Sequence, residues 1–160
     1  MVENKQVLDV CCGSRMFWFD KGDDRATFND VRKESHTLCD GRGLEINPDT
    51  MYDFTNLGFA DESYSLVVFD PPHLKNVGDE AYMAKKYGKL TGDWHEMLRN
   101  GFKECFRVLK PNGTLIFKWN EDQIKVKEIL ALTSEKPLFG HRSGKASKTH
   151  WIAFIKDDVT

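Results

Sequence analysis

The sequence predicts an open, mainly parallel α/β sheet closed by an antiparallel hairpin. Three observations point there. Short apolar runs of strand length alternate with segments of helical period. The apolar runs end on polar residues, as strands do when their carboxyl ends frame a cleft. The last two β-rich runs are separated only by the short loop "SGKASK", which suits a hairpin.

Taken in order, "KQVLDVCCGS" reads as a buried strand from Gln6 to Val10 that turns and opens onto "RMFWFDK". "ATFNDVR" is the second strand, with Asp30 at its end. A short extended piece follows around Asp49 to Asp53, then a loop, then the strand Ser65 to Phe69. "DWHEMLRNGFKECFRVL" places Trp94, Met97, Leu98, Phe102, Cys105, Phe106 and Leu109 at spacings of three and four. Asp93 with Glu96 adds a capping-box pattern to that helix. "KPNG" stops it and leads into the strand Thr114 to Trp119, rich in β-branched and aromatic residues. Asn120 and Gln123 resemble another helix start, running to about Leu132. "PLFGHR" and "THWIAFIK" form the closing hairpin. No repeat, low-complexity tract or linker interrupts the chain, so residues 1–160 are expected to form one domain.

A chain of 160 residues can bury a core without disulfide or metal staples. Its composition, 40% apolar and 30% charged, is that of a soluble globular protein. No apolar run is long enough for a membrane span and no secretory leader is legible, so no membrane partner is expected. Cys11, Cys12, Cys39 and Cys105 are irregularly spaced and read as reduced, which implies the cytoplasm. His36 and Cys39 share a metal-like spacing, but no second pair completes a site, so no metal is expected. The net charge of −2 does not advertise nucleic-acid binding, yet Lys75 to Lys89 and Lys136 to Lys148 are locally basic. These segments read either as solvated loops or as two lips of one cleft.

The polar strand ends discriminate among cofactors. A nicotinamide fold would place G-x-G-x-x-G after the first strand, and "DVCCGSRMFW" has one glycine. "GHRSGKA" is one residue short of a phosphate-binding loop and lacks its hydroxyl. "LDVCCGS" instead resembles the first motif of class I S-adenosylmethionine-dependent methyltransferases, in the variant of those that modify amino groups of nucleic-acid bases. "FDPPH", roughly sixty residues later, resembles their fourth motif, Asp/Asn/Ser-Pro-Pro-aromatic. The motif order and the final hairpin match as well. Nearly the whole chain is also similar to small methyltransferase-like proteins of bacterial and bacteriophage genomes.

That resemblance implies a Rossmann-like class I methyltransferase sheet and S-adenosyl-L-methionine as cofactor. It assigns Asp9, Cys11, Cys12, Gly13 and Ser14 to the methionine end of the cofactor. It gives Asp30 to the ribose hydroxyls, Asp53 to the adenine amino group, and Phe54 to the neighbourhood of the ring. Two departures stand out. Arg15 occupies the motif's third glycine position, where it either crowds the turn or reaches over the cleft. His73 stands where an aromatic residue is usual.

The cluster Asp70, Pro71, Pro72 and His73 then acquires a chemical reason. The exocyclic amine of a base is a poor nucleophile because its lone pair is delocalised into the ring. Two fixed acceptors, the Asp70 carboxylate and the Pro71 carbonyl, favour a pyramidal nitrogen, and proline aims that carbonyl without loss of further freedom. His73 offers a π-face on which a flipped or single-stranded base can stack. The implied reaction is methyl transfer to an exocyclic amine of DNA or RNA, adenine N6 above others. The alternatives are methyl transfer to a small molecule or protein side chain, and a silent binding subunit. With no target-recognition domain legible, either the substrate is compact or a partner subunit or homodimer supplies further contacts.

Overall fold

The computed structural model of the protein describes residues 5–75, 90 and 92–158. In chain order the strands are β1 Val7–Asp9, β2 Ala26–Phe28, β3 Glu34–Thr37, β4 Gly43–Ile46 and β5 Tyr64–Phe69. Then come helix α1 Trp94–Val108, β6 Leu109–Asn120, helix α2 Val126–Leu130, β7 Phe139–Arg142 and β8 Thr149–Ile155. Six strands form one sheet in the order β2-β1-β5-β6-β8-β7. β2, β1, β5 and β6 are parallel neighbours, and β8 and β7 add on antiparallel. The mainly parallel sheet with its closing hairpin is therefore the one the sequence predicts. The chain passes from β1 outward to β2 and later returns to β5 on the other side of β1. Strand order thus reverses at β1, and the crevice above β1 and β5 is where such a sheet receives ligands.

Leu66 to Phe69 and Leu115 to Phe117 read as almost unbroken apolar runs because central strands are covered on both faces. On one face α1 lays down Leu98, Phe102, Cys105 and Phe106, all buried. Phe102 packs 4.9 Å from Phe117 and 5.5 Å from Phe69, ring centre to ring centre. Asp93 caps α1 by accepting from the backbone N–H of His95 and Glu96. Glu96 pairs with Arg99 at 2.8 Å. Gly101 is needed where α1 meets the sheet, since a Cβ there would stand 2.7 Å from the rings of Phe54 and Phe69. α2 packs Ile129 into the same core but is shorter than the predicted Asn120 to Leu132. No helix among the described residues is long and apolar enough to cross a membrane.

Two features correct the sequence reading. Strands do not alternate regularly with helices: residues 11–25, between β1 and β2, run through turns. Asp20 and Asp23 accept from the backbone N–H of Gly22 and Arg25, a local bonding pattern that competes with a helix. An aromatic plug covers this part of the sheet instead, with Trp18 packed 4.8 Å from Phe28. The second feature is β3–β4, an antiparallel pair outside the main sheet, in a stretch to which the sequence reading assigns no element. Its turn uses Asp40 and Gly41, the latter at φ 86°, and Leu38, Leu44 and Ile46 are buried. The expected extended piece at Asp49 to Asp53 touches the main sheet through a parallel bridge from Asn29 to Thr50.

Candidate active site

Asn29 organises the crevice. It is fully buried, just beyond β2, and every hydrogen-bonding group of its amide is used. Nδ2 donates to the carbonyls of Val10 and Tyr52, both at 2.9 Å. Oδ1 accepts from the Thr50 hydroxyl at 2.7 Å and the Tyr52 N–H at 2.9 Å. The Asn29 carbonyl takes the N–H of Cys12 at 2.8 Å. One side chain therefore locks the ends of β1 and β2 and the segment carrying Asp53 into one unit.

The turn after β1 is built against that lock. Gly13 has φ 51°, a left-handed conformation that favours glycine, and its N–H donates to Asp30 Oδ2 at 2.9 Å. Asp30 Oδ1 accepts from the N–H of Arg32 at 2.9 Å, so this acid braces the turn as well as facing the crevice. Arg15 also takes a left-handed conformation, φ 59°, the one its glycine counterpart would adopt freely. Its guanidinium does not reach over the crevice. It stacks 3.8 Å above the Phe28 ring and donates to the carbonyls of Asn47 (2.8 Å) and Lys21.

A crevice of about 320 Å³ opens above β1 and β5. Cys11, Cys12, Gly13, Ser14, Asp30, Asp53 and Phe54 line one end, and Asp70, Pro71, Pro72 and His73 the other. Asp9 does not line it. Its carboxyl lies beneath the turn, fully buried, with Oδ2 accepting from the Trp18 indole N–H at 2.8 Å and Oδ1 unpaired. Burial pushes Asp9 up to about 7, with the Asp70 and Asp30 charges adding and the Trp18 bond opposing. Asp53 is exposed and accepts from the N–H and hydroxyl of Thr55 through Oδ1. The Phe54 ring packs 5.4 Å from Phe69 and turns mainly into the core.

At the other end, Asp70 follows β5 directly. Burial pushes it up to about 6, and the Lys118 ammonium, 3.5 Å from Oδ2, pulls the other way. His73 is only 9% exposed, which limits the ring face it can offer, and meets Trp119 edge to face at 6.2 Å. Burial pushes His73 down to about 4, so it is a neutral imidazole at physiological pH. Lys118, at a strand end that the sequence already aims at the cleft, also lines the crevice, together with Phe17 and Tyr52, which sequence reasoning did not anticipate. Phe17 carried a signal in the aromatic run "MFWF". Of the basic residues, Lys85, Lys86 and Lys89 lie outside the described residues. Arg142 and Lys145 are exposed on the β7–β8 turn, and Lys148 pairs with Asp122 at 2.7 Å. The four cysteines are unbridged, and the described residues bring together no metal-ligand cluster.

No protein-family model matches the chain, and no curated protein matches it in sequence. Solved structures do match in fold. A protein of Pyrococcus horikoshii superposes with a TM-score of 0.60 over 95% of this chain and 82% of its own, at 15% identity. An N-methyltransferase, NodS, of Bradyrhizobium japonicum gives 0.58 over 96% and 86%, at 14% identity. A SAM-dependent methyltransferase of Methanosarcina mazei gives 0.55 over 98% and 94%, at 15% identity. At such identities the likeness is one of fold: the chain has the α/β sheet on which those methyltransferases are built.

Proposed function

We propose that the protein is an S-adenosylmethionine-dependent methyltransferase acting on an exocyclic amino group of a nucleic-acid base, adenine N6 above others. One observation carries the reading: β5 delivers Asp70 and Pro71 into the same crevice that the Cys11–Gly13 turn enters from β1, Asp30 from β2 and Asp53 from the segment after β4. The donor set suits the cofactor. Carboxylates of Asp30 and Asp53 are acceptors for ribose hydroxyls and an adenine amine, and the left-handed Gly13 exposes backbone to the methionine end. A volume of about 320 Å³ falls in the range of small-molecule pockets.

Bound there, the cofactor would supply a sulfonium methyl group. The chain's own residues do the rest. Asp70 and the Pro71 carbonyl accept from the two N–H groups of the amine and free its lone pair to bond the methyl carbon. The Asp70 carboxylate would take the proton that the amine gives up on gaining the methyl group, the cofactor leaving as a neutral thioether. His73, buried and neutral, supports the edge of the base rather than presenting a full ring face. A partner subunit or second copy would extend the contacts along the nucleic acid.

The test is to incubate the protein with labelled S-adenosylmethionine and DNA, RNA or small-molecule amines, and identify methylated nucleosides by mass spectrometry. N6-methyladenine is the expected product. Cofactor heat in calorimetry without transfer to any nucleic acid would move the substrate to another class. No heat at millimolar cofactor would leave only the fold.

A further inference from the structure

Lys118 projects from β6 next to the end of β5, in register with Trp151 of β8. Its Nζ stands 5.4 Å from the ring centres of both Phe17 and Trp151, which meet each other edge to face, also at 5.4 Å. The third contact is Asp70 Oδ2 at 3.5 Å. Two aromatic rings and one carboxylate thus fix the head of a long, otherwise free side chain. Around Asp70 the other described titratable groups are Asp9 on β1, Asp30 beyond β2, the Cys11 thiol and His73. Arg32 is taken up by Asp30 at 3.5 Å. Lys118 is therefore the cation in contact with Asp70 among the described residues.

We infer that Lys118 is a positioning residue that holds Asp70 as an oriented anion, and that the neutral pair so formed admits an uncharged aromatic amine and turns away an aliphatic ammonium. The inference rests on the methyl-transfer reading. Half-buried beside two further acids, Asp70 without a cation would hold its proton to higher pH. A protonated carboxyl presents one oxygen as a donor, and the amine needs an acceptor. The Lys118 ammonium, 3.5 Å from Oδ2, favours the charged carboxylate and so keeps the acceptor in place. Selectivity follows from the same charge. An aliphatic amine is cationic at neutral pH and would approach Asp70 against the like charge of Lys118. The amine of a base arrives neutral. When its nitrogen gains the methyl group and becomes cationic, it gives up its proton to Asp70.

The test separates charge from packing. Lys118→Met keeps an apolar stem against Phe17 and Trp151, Lys118→Gln is a second neutral variant should the first not fold, and Lys118→Arg keeps the charge. The Asp70 carboxyl is titrated by carbon-13 NMR, assigned with Asp70→Asn, with no cofactor present. Its midpoint is expected to rise by about one to three pH units in the neutral variants and to return in Lys118→Arg. The acid limb of methyl transfer should move by the same amount, with activity recovering as pH is raised. An unmoved midpoint in a folded neutral variant overturns the inference whatever the substrate. Wild-type transfer to aliphatic amines in preference to bases overturns the selectivity. A midpoint that moves in a protein transferring to neither sinks the methyl-transfer reading and supports the charge coupling.

Discussion

The two ends of the crevice are held by different physics. After β1, the turn is tied by a web of hydrogen bonds, most of them to backbone, that converge on the Asn29 amide and the Asp30 carboxylate. After β5, two prolines set the backbone, and the one acid that matters is held by a charge, Lys118. A hydrogen-bonded web resists changes of pH and salt and makes a durable cradle. An ion pair can be tuned, and it sits where protonation state decides whether a nitrogen can be attacked. Each end contains an acid pushed upward, the buried Asp9 to about 7 and the half-buried Asp70 to about 6, with an indole N–H beside one and an ammonium beside the other.

The sharpest way to break the comparison is Asp70→Ala. Methyl transfer should fall by roughly 100- to 1000-fold or more, the scale for losing one oriented polar group at a reacting centre. Cofactor affinity by calorimetry should stay nearly unchanged, because the contact is to the amine. A parallel loss of both would merge the two ends into one functional unit.

Asn29→Ala should act in the opposite pattern. It strands the carbonyls of Val10 and Tyr52 and frees the Tyr52 N–H, so stability should drop by on the order of 2–4 kcal/mol in urea unfolding. Cofactor affinity should fall with it. A loss of stability below about 1 kcal/mol would show that the web is not what fixes the turn.

Asp9→Asn probes the acid beneath the cradle. The folded protein holds a proton on Asp9 up to about pH 7, whereas the unfolded chain releases it near its ordinary value of about 4. The folded state therefore binds the extra proton across that window, and stability declines as pH rises through it. Removing the charge while keeping an acceptor for Trp18 should raise stability by on the order of 2 kcal/mol at pH about 8 and change little at pH about 4. Denaturant unfolding at the two pH values measures this.

The smallest effect is expected from His73→Phe. The folded ring resists protonation until about pH 4, while the unfolded histidine takes a proton near about 6.5. Stability conferred by neutral His73 is thus present above pH about 6.5 and lost as pH falls toward 4, and phenylalanine should remove that decline. Because His73 is neutral throughout the working range, the pH profile of activity should keep its shape. A profile that loses an inflection near about 6.5 would instead give the imidazole a role in proton transfer.

What the sequence disclosed, and what it hid, divides along the same line. "DVCCGS" and "FDPPH" are each contiguous, so the residues that enter the crevice could be read from local order, and the sheet follows from the apolar runs. Lys118 was not legible as a partner of Asp70, because 48 residues separate them and only the register of β5 and β6 joins them. Asn29 was silent for the same reason, its amide bonding residues 19 and 23 positions away. Arg15 looked like an intrusion into the crevice, and the Phe28 ring that draws it aside became visible only with the fold. The β3–β4 pair had a turn signal in Asp40–Gly41, but "ESHT" has no apolar alternation to mark a strand. The run of turns between β1 and β2 has its signal in the acids at 20 and 23, whose side chains bond the backbone beside them.

Trp18, in the turns between β1 and β2, makes the cradle observable by light. Its indole N–H is bonded to a carboxyl that changes charge near pH 7, whereas the Trp119 N–H is bonded to the uncharged carbonyl of Ile124. The excited indole has a large dipole and responds to a nearby charge, so Trp18 emission should shift across neutrality while Trp119 stays constant. A ligand that settles on the Cys11–Gly13 turn and alters the proton on Asp9 would move that transition. The chain thus carries its own optical gauge of the cofactor end, needing no label and no turnover.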